Sequence, residues 1–497
     1  MTAESRSRGA PGLASDRRGP PRVAAAPGPA PERERRDSPL SVTAWARRTA
    51  ELHRELAAIA EVDPRWWLVA GGVAAAETWA RPDVYLACDA EPDADTFMGY
   101  RAAPPSDLVH DAITRARAAR TVLRELDGQL PDQPLAVTID QAAGAQVVPS
   151  ALDSAAFAVG DRCLIARLDD PALAAQLAAV LGGAAPRPWR GPPPFVCVTV
   201  GDEPLDTVRH GHRRAWTTRG GPWLGLSRAG DLAVVSTCHL AVDGYGHARI
   251  AARVAALTAA SRTAVAPGAA AAPIAAAPPL SPVAGAVPLA IAWRALPGPA
   301  PRVIPMAYTL GRILHRIAGR PGARFSPTFQ IPVARGAKDD PMRLRRRIVS
   351  LTASVRFDGG APEPFAAFEA RLRDAIRREA AAHGLVSRLL AAARAAPIPL
   401  AWKRRSISAK RPRWFESFAE VIGGRALLSR IAVDAALPAM CAASSPARMA
   451  TAEDPTGGCV ITLIDDGVRS AITVAGSGFA GTPERAAQVI DELLAPG

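Results

Sequence analysis

His239 to Gly244 reads HLAVDG, a histidine followed four residues later by an aspartate and then a glycine. An imidazole titrates near neutrality, so a histidine placed on a loop in a cleft is suited to general acid–base work. A carboxylate four residues on can turn back to brace the loop, and the glycine lets the backbone fold tightly beside it. His239, Asp243 and Gly244 are therefore the candidate catalytic residues.

Three neighbouring patterns carry less chemistry. His210 and His212 form an HxH pair, but no acidic or cysteine companion sits at ligand spacing in the sequence, and no metal is assigned. Gly476 to Phe479, GSGF, reads as a turn after a strand, because a lone Gly-x-Gly is weak evidence of phosphate binding. The GxSxG signature of a nucleophilic serine is absent.

The elements that must position the hexapeptide are legible around it. Two short apolar runs, Trp223 to Ser227 and Asp231 to Thr237, are joined by a turn containing Gly230, and a helical stretch, His247 to Ala260, follows. Upstream, helices are expected at Ser41 to Ala60 and Ser106 to Leu126, and strands at Leu135 to Ile139 and Phe195 to Val200. Downstream a second α/β pattern begins with a helix over Tyr308 to Ala318 and strands over Thr328 to Val333 and Ile348 to Phe357. Phe365, Phe368, Leu372 and Ile376 recur at helical spacing, with Gly384 placed to end that helix. Asp465, Asp466 and Gly467 mark a hairpin between Cys459 to Ile464 and Val468 to Val474. Thr482 is a natural N-cap for a last helix with Pro483 in its first turn and Val489, Ile490, Leu493 and Leu494 on its buried stripe.

At 497 residues the chain exceeds what one hydrophobic core usually serves. Four segments are expected: a disordered Arg/Pro/Ala/Gly-rich tail over 1–40, a first lobe over 41–262, a Pro/Ala-rich linker over 263–300 and a second lobe over 301–497. Residues 263–293 carry no charge, yet Pro267, Pro273, Pro278, Pro279, Pro282 and Pro288 would break a membrane-spanning helix repeatedly. The net charge of +13 is compatible with anionic partners, but there is neither zinc-finger spacing nor an aromatic RNA-binding strand, so no nucleic-acid partner is expected. Six scattered cysteines without CxxC pairs, and no apolar leader, point to a reducing cytoplasm.

The hexapeptide, set in CHLAVDGYGHARI, resembles the HxxxD(G) CoA-dependent acyltransferase superfamily, which includes chloramphenicol acetyltransferase, dihydrolipoamide acyltransferases and condensation domains. Its mid-chain position is similar to the two-lobe members, such as the wax ester synthase/diacylglycerol acyltransferases and condensation domains. In the second half IPVARG, Ile331 to Gly336, resembles their PVxxR strand. LLSRI, Leu427 to Ile431, resembles their SNV segment with Arg430 in place of asparagine. Many of these proteins have two histidines in HHxxxDG, whereas Cys238 stands at the first position here; it reads as a small buried residue.

The resemblance implies an α/β (α+β) fold of two chloramphenicol acetyltransferase-like lobes, each a mixed sheet flanked by helices, with a tunnel between them. It implies an acyltransferase that moves an acyl group from acyl-CoA or a carrier-bound thioester to a hydroxyl or amine acceptor, in lipid or secondary metabolism. His239 would be the general base, Asp243 the brace and Arg335 its partner, with Ser429 a candidate oxyanion donor. No cofactor would be resident, the thioester being a co-substrate. The partners implied are the small-molecule donor and acceptor, an acyl carrier protein, peripheral membrane contact, and a monomeric or weakly dimeric chain. Arg343, Arg345, Arg346 and Arg347, and Lys403, Arg404, Arg405, Lys410, Arg411 and Arg413, could receive coenzyme A phosphates, although a solvated basic face accounts for both clusters. Trp66 and Trp67 read as core or tunnel wall. The competing expectation is a catalytically inactive protein of the same fold that binds acyl ligands or a protein partner.

Overall fold

The computed structural model describes residues 95–129, 137–140, 146–149, 152–216, 220–238, 244–264, 277–281, 283, 288–334, 348–381, 424–433, 439–444, 446, 449–452 and 454–495. The expected tail over 1–40, the helix over Ser41 to Ala60, Trp66, Trp67, Gly384 and both basic clusters lie outside the described residues.

The first half contributes β1 (Asp95–Arg101), α1 (Leu108–Gln129), β2 (Val137–Asp140), β3 (Gln146–Pro149), β4 (Ser154–Val159) and β5 (Arg162–Arg167). It continues with α2 (Leu173–Leu181), β6 (Val196–Thr199), a 3-10 segment (Val208–Ala215), β7 (Gly220–Pro222), β8 (Leu224–Ala229), β9 (Leu232–Cys238) and α3 (Gly244–Ala264). In the second half come β10 (Ala290–Leu296), α4 (Val303–Ala318), β11 (Phe329–Ala334), β12 (Ile348–Ala353), β13 (Phe357–Asp358), β14 (Ala361–Pro362) and α5 (Phe365–Ala381). It closes with β15 (Ala426–Ala432), β16 (Ala439–Ser444), β17 (Cys459–Asp465), β18 (Ser470–Gly476) and α6 (Pro483–Leu494).

These elements build two mixed sheets with helices packed on them, the architecture expected from the sequence. A seven-stranded sheet has the order β16-β1-β9-β8-β6-β4-β5, and a six-stranded sheet the order β10-β18-β17-β15-β11-β12. On the first sheet, α1 presents Ala112, Ala116, Ala119, Val122, Leu123 and Leu126 at helical spacing, all buried. Alanine on three of those turns lets the helix approach the strands closely. β4 is buried at all six positions because its two faces join different clusters, Ala155 and Phe157 on the helix side and Ala156 and Ala158 on the other.

The second sheet follows its sequence signals with two local shifts. The Thr482 hydroxyl accepts from the Arg485 N–H at 3.3 Å, Pro483 opens α6, and Val489, Ile490 and Leu493 are buried, while Leu494 is half-buried. In the Asp-Gly hairpin, β18 starts at Ser470 rather than Val468, since the Asp466 carboxylate accepts the N–H groups of Val468 (2.8 Å) and Arg469 (2.6 Å). The strand expected over Ile348 to Phe357 ends at Ala353 and resumes at Phe357. Between them the Val355 N–H donates to Ser326 Oγ at 2.8 Å, which draws the backbone off the ladder.

Two findings redraw the expected segments. Residues 290–296, inside the expected linker, form β10, paired with β18 from Ala290↔Gly476 to Leu296↔Ser470. Residues 277–281 lie against the first lobe, where the Ser281 N–H donates to the Gly160 carbonyl and the Ser281 carbonyl accepts from Arg214. In addition, β16 belongs to the second half of the chain but pairs antiparallel with β1, from Thr96↔Ser444 to Tyr100↔Ala439, and so covers the edge of the first sheet. Among the described residues no helix is long and apolar enough to cross a membrane.

Candidate functional site

β8 and β9 form the hairpin that leads to the hexapeptide, turning at Gly230, whose φ of +58° suits a residue without Cβ. β9 ends at Cys238, 1% exposed, and α3 begins at Gly244. Residues 239–243 lie outside the described residues, and so do His239, Asp243 and Arg335. The tunnel expected between the lobes concerns the space around the same residues.

Both flanks of the loop nevertheless have defined surroundings. A Cβ added at Gly244 would stand 3.9 Å from Ile431 Cδ1 on β15, the strand that also carries the half-buried Ser429. β15 is parallel to β11, with Phe329↔Ala426 and Gln330↔Leu427 in register. The C-terminal ends of these two strands therefore point the same way, and Arg335 directly follows the last residue of β11, Ala334. Pro332 offers no N–H, and the β11–β15 ladder stops two residues before it. Arg430 forms an ion pair with Asp465 of β17, across which it is registered next to Leu463. Its carboxyl partner is held below the usual range: partial burial raises it, but hydrogen bonds from Arg430 and the Gly467 N–H outweigh that.

Immediately before the loop lies a buried polar layer between the first sheet and the 3-10 segment. In the β1–β9 register Asp95 is directly opposite Cys238, so their side chains project to one face although they are far apart in sequence. The 3-10 segment covers that face and supplies His210, His212 and Arg213. Close approach is possible because Gly225 of β8 has no side chain: a Cβ there would meet the His212 nitrogen and Ser236 Oγ at 2.4 Å each.

Asp95 is fully buried, and its two oxygens face different groups. Oδ2 lies 2.6 Å from His210 Nδ1 and 2.6 Å from Arg213 Nε. Oδ1 lies 3.4 Å from His212 Nε2, an approach too oblique for a hydrogen bond. Burial raises the Asp95 carboxyl, but the His212 ring, the His210 hydrogen bond and the Arg213 charge together hold it well below the usual carboxylate range. Burial pushes His210 the other way, below the ordinary imidazole value, against the pull of Asp95. With its proton on Nδ1, His210 can donate across the 2.6 Å contact to Asp95 Oδ2.

Glu203 completes the layer, accepting from Ser227 Oγ at 2.7 Å and from Arg214 Nε at 2.8 Å. On the opposite face of β9 Thr237 Oγ1 lies 2.8 Å from His247 Nδ1 and 3.0 Å from Thr96 Oγ1. Burial pushes the Cys163 thiol up to about 11 and those of Cys441 and Cys459 up to about 12, which leaves them protonated and poor nucleophiles at neutral pH.

Of the HxH pair, His212 has acidic and cysteine companions that its sequence neighbourhood lacks: the ligand atoms of Asp95, His212 and Cys238 lie within 4.8 Å of one another. Strand pairing supplies them, and no local spacing could have signalled it.

No family model matches the chain, and no curated protein matches its sequence. Its structure is similar to a double mutant of the starter condensation domain of rhizomide synthetase in complex with C8-CoA and Leu-SNAC, at 13% identity and a TM-score of 0.40, covering 83% of this chain and 91% of that one. It is similar to the first condensation domain of the CDA synthetase at 14% identity and a TM-score of 0.39, covering 83% and 93%. Polyketide synthase associated protein 5 from Mycobacterium tuberculosis aligns at 10% identity and a TM-score of 0.38, covering 80% and 92%.

Proposed function

We propose that the chain is an acyltransferase in which His239 removes a proton from a hydroxyl or amine acceptor as it attacks an acyl thioester. The observation that carries this reading is the setting of the hexapeptide. Its strand ends in the first sheet, and its helix starts at Gly244 beside Ile431 of the second, so the flanks of the hexapeptide lie at the seam between two mixed sheets. A base at such a seam can be approached by donor and acceptor from separate sides, and a direct attack needs no covalent acyl-enzyme.

In this reading Asp243 braces the loop by pairing with Arg335. That pairing is supported by the shared direction of β11 and β15, which sets Ala334, the residue before Arg335 in the sequence, at the same sheet end as the Gly244 neighbour Ile431. Ser429 would donate to the oxyanion of the tetrahedral intermediate. The donor would be acyl-CoA or a carrier-bound thioester. A cavity of about 270 Å³ beneath α3, lined by Tyr100, Leu226, Val235, Val254 and Thr258 among others, offers apolar room for an acyl chain.

The test is turnover of a panel of acyl-CoA and carrier thioesters with hydroxyl and amine acceptors. Loss of a general base lowers rates by about 10²–10⁴-fold, and His239→Ala is expected in that range. Turnover by His239→Ala equal to that of the wild type would overturn the mechanism.

A further inference from the structure

We propose that Asp95, His212 and Cys238 form a zinc site at the foot of the 239–243 loop. The three side chains arrive from three separate elements: β1, the 3-10 segment and β9. Each is buried, at 0%, 0% and 1% exposure. Carboxylate, imidazole and thiolate are the donor set zinc prefers over calcium or magnesium, which favour oxygen ligands alone.

Geometry supports the assignment. Bonds of about 2.0–2.3 Å at tetrahedral angles separate ligand atoms by roughly 3.3–3.7 Å. His212 Nε2 and Asp95 Oδ1 are 3.4 Å apart, already one edge of such a tetrahedron. The full trio lies within 4.8 Å, so a movement of the thiol by about an ångström completes the set.

The hydrogen bonding points to the same atoms. Asp95 Oδ2 takes the contacts from His210 and Arg213, while Oδ1, facing His212, has no hydrogen-bond partner. Neither ring nitrogen of His212 has one, in a residue of 0% exposure. Buried polar atoms left in this state are costly, and a cation between them would satisfy Oδ1 and Nε2 together. His210, through its hydrogen bond, and Arg213, through its charge, would then orient the carboxylate from outside the ligand set, as ligating carboxylates usually require. Binding would release the Cys238 thiol proton, giving two anionic ligands for one divalent cation and leaving the fourth tetrahedral position to water.

Metal content decides the matter independently of acyl transfer. Full-length chain, stripped with chelator and then titrated with zinc, is expected to bind one equivalent and to show a higher thermal midpoint. Cobalt in place of zinc is expected to give a thiolate-to-metal charge-transfer band in the near ultraviolet, which Cys238→Ser removes and which His212→Asn weakens. If either variant fails to fold, the cobalt spectrum of the wild-type chain alone gives the answer. A folded wild-type chain that takes up no stoichiometric zinc, or a cobalt complex without the thiolate band, would overturn the proposal and leave Asp95 as a carboxylate held by His210 and Arg213 alone.

Discussion

Glu203 shows how much of this protein's chemistry is decided by burial. Burial raises its carboxyl, and the neighbouring Arg214 and Ser227 only partly bring it back, so its value stays above the ordinary 4.5. A group whose native value is raised contributes stability that is fully present below the unfolded value and is lost as pH rises through the native one. Glu203→Gln, which cannot titrate, is expected to flatten the fall of stability over the pH range above the ordinary carboxylate value of 4.5. Urea midpoints of both proteins across that window test this, and parallel curves would rule it out. At this scale the sequence was readable where the chemistry is contiguous: HLAVDG and the HxH pair stand out as written. Asp95 was not, because only the antiparallel register of β1 on β9 gives it Cys238 as a neighbour.

Elements whose signals are local matched their sequence; those that depend on a distant partner did not. α6 is capped and striped as Thr482, Pro483, Val489 and Ile490 predict, and Thr482→Ala is expected to lower stability by about 1 kcal/mol in thermal or urea denaturation. By contrast β10, with the sequence AIAWRAL, and β16, with AMCAAS, have little hydrophobic alternation of their own. Each becomes a strand because an open sheet edge accepts it, β18 in one case and β1 in the other. Gly225 makes a further element-scale prediction. A methyl group there would press on the His212 backbone and Ser236 Oγ, lifting the 3-10 segment off β8. Gly225→Ala is therefore expected to destabilise by about 1–3 kcal/mol, the usual range for overpacking, and to disturb the Asp95 contacts as well. Histidine NMR signals of His210 and His212 would report the displacement, and unchanged signals would contradict it.

Across the whole molecule, the sequence divides more simply than the structure does. A chain read as lobe, linker and lobe places its second-half strand β16 on the first sheet, and its linker strand β10 on the second. The first half cannot complete its sheet alone, whereas every strand of the second sheet lies between residues 290 and 476. Residues 1–262, expressed by themselves, would leave the β1 edge uncovered and are expected to aggregate, whereas co-expression with 263–497 should restore a soluble complex. A soluble, cooperatively unfolding 1–262 fragment would contradict this. The two mixed sheets were legible because strand and helix signals recur in both halves; the crossing of β16 to the first sheet was not, since AMCAAS looks alike in either place. That crossing also sets a clock on the ribosome. Between the emergence of β9 and that of β16 lie about 200 residues, or roughly 10–40 s of synthesis at 5–20 residues per second, during which β1 waits with an open edge. For that interval the nascent chain, rather than the finished protein, is the species most exposed to mispairing, and the foot of the HLAVDG loop is built on the strand that waits.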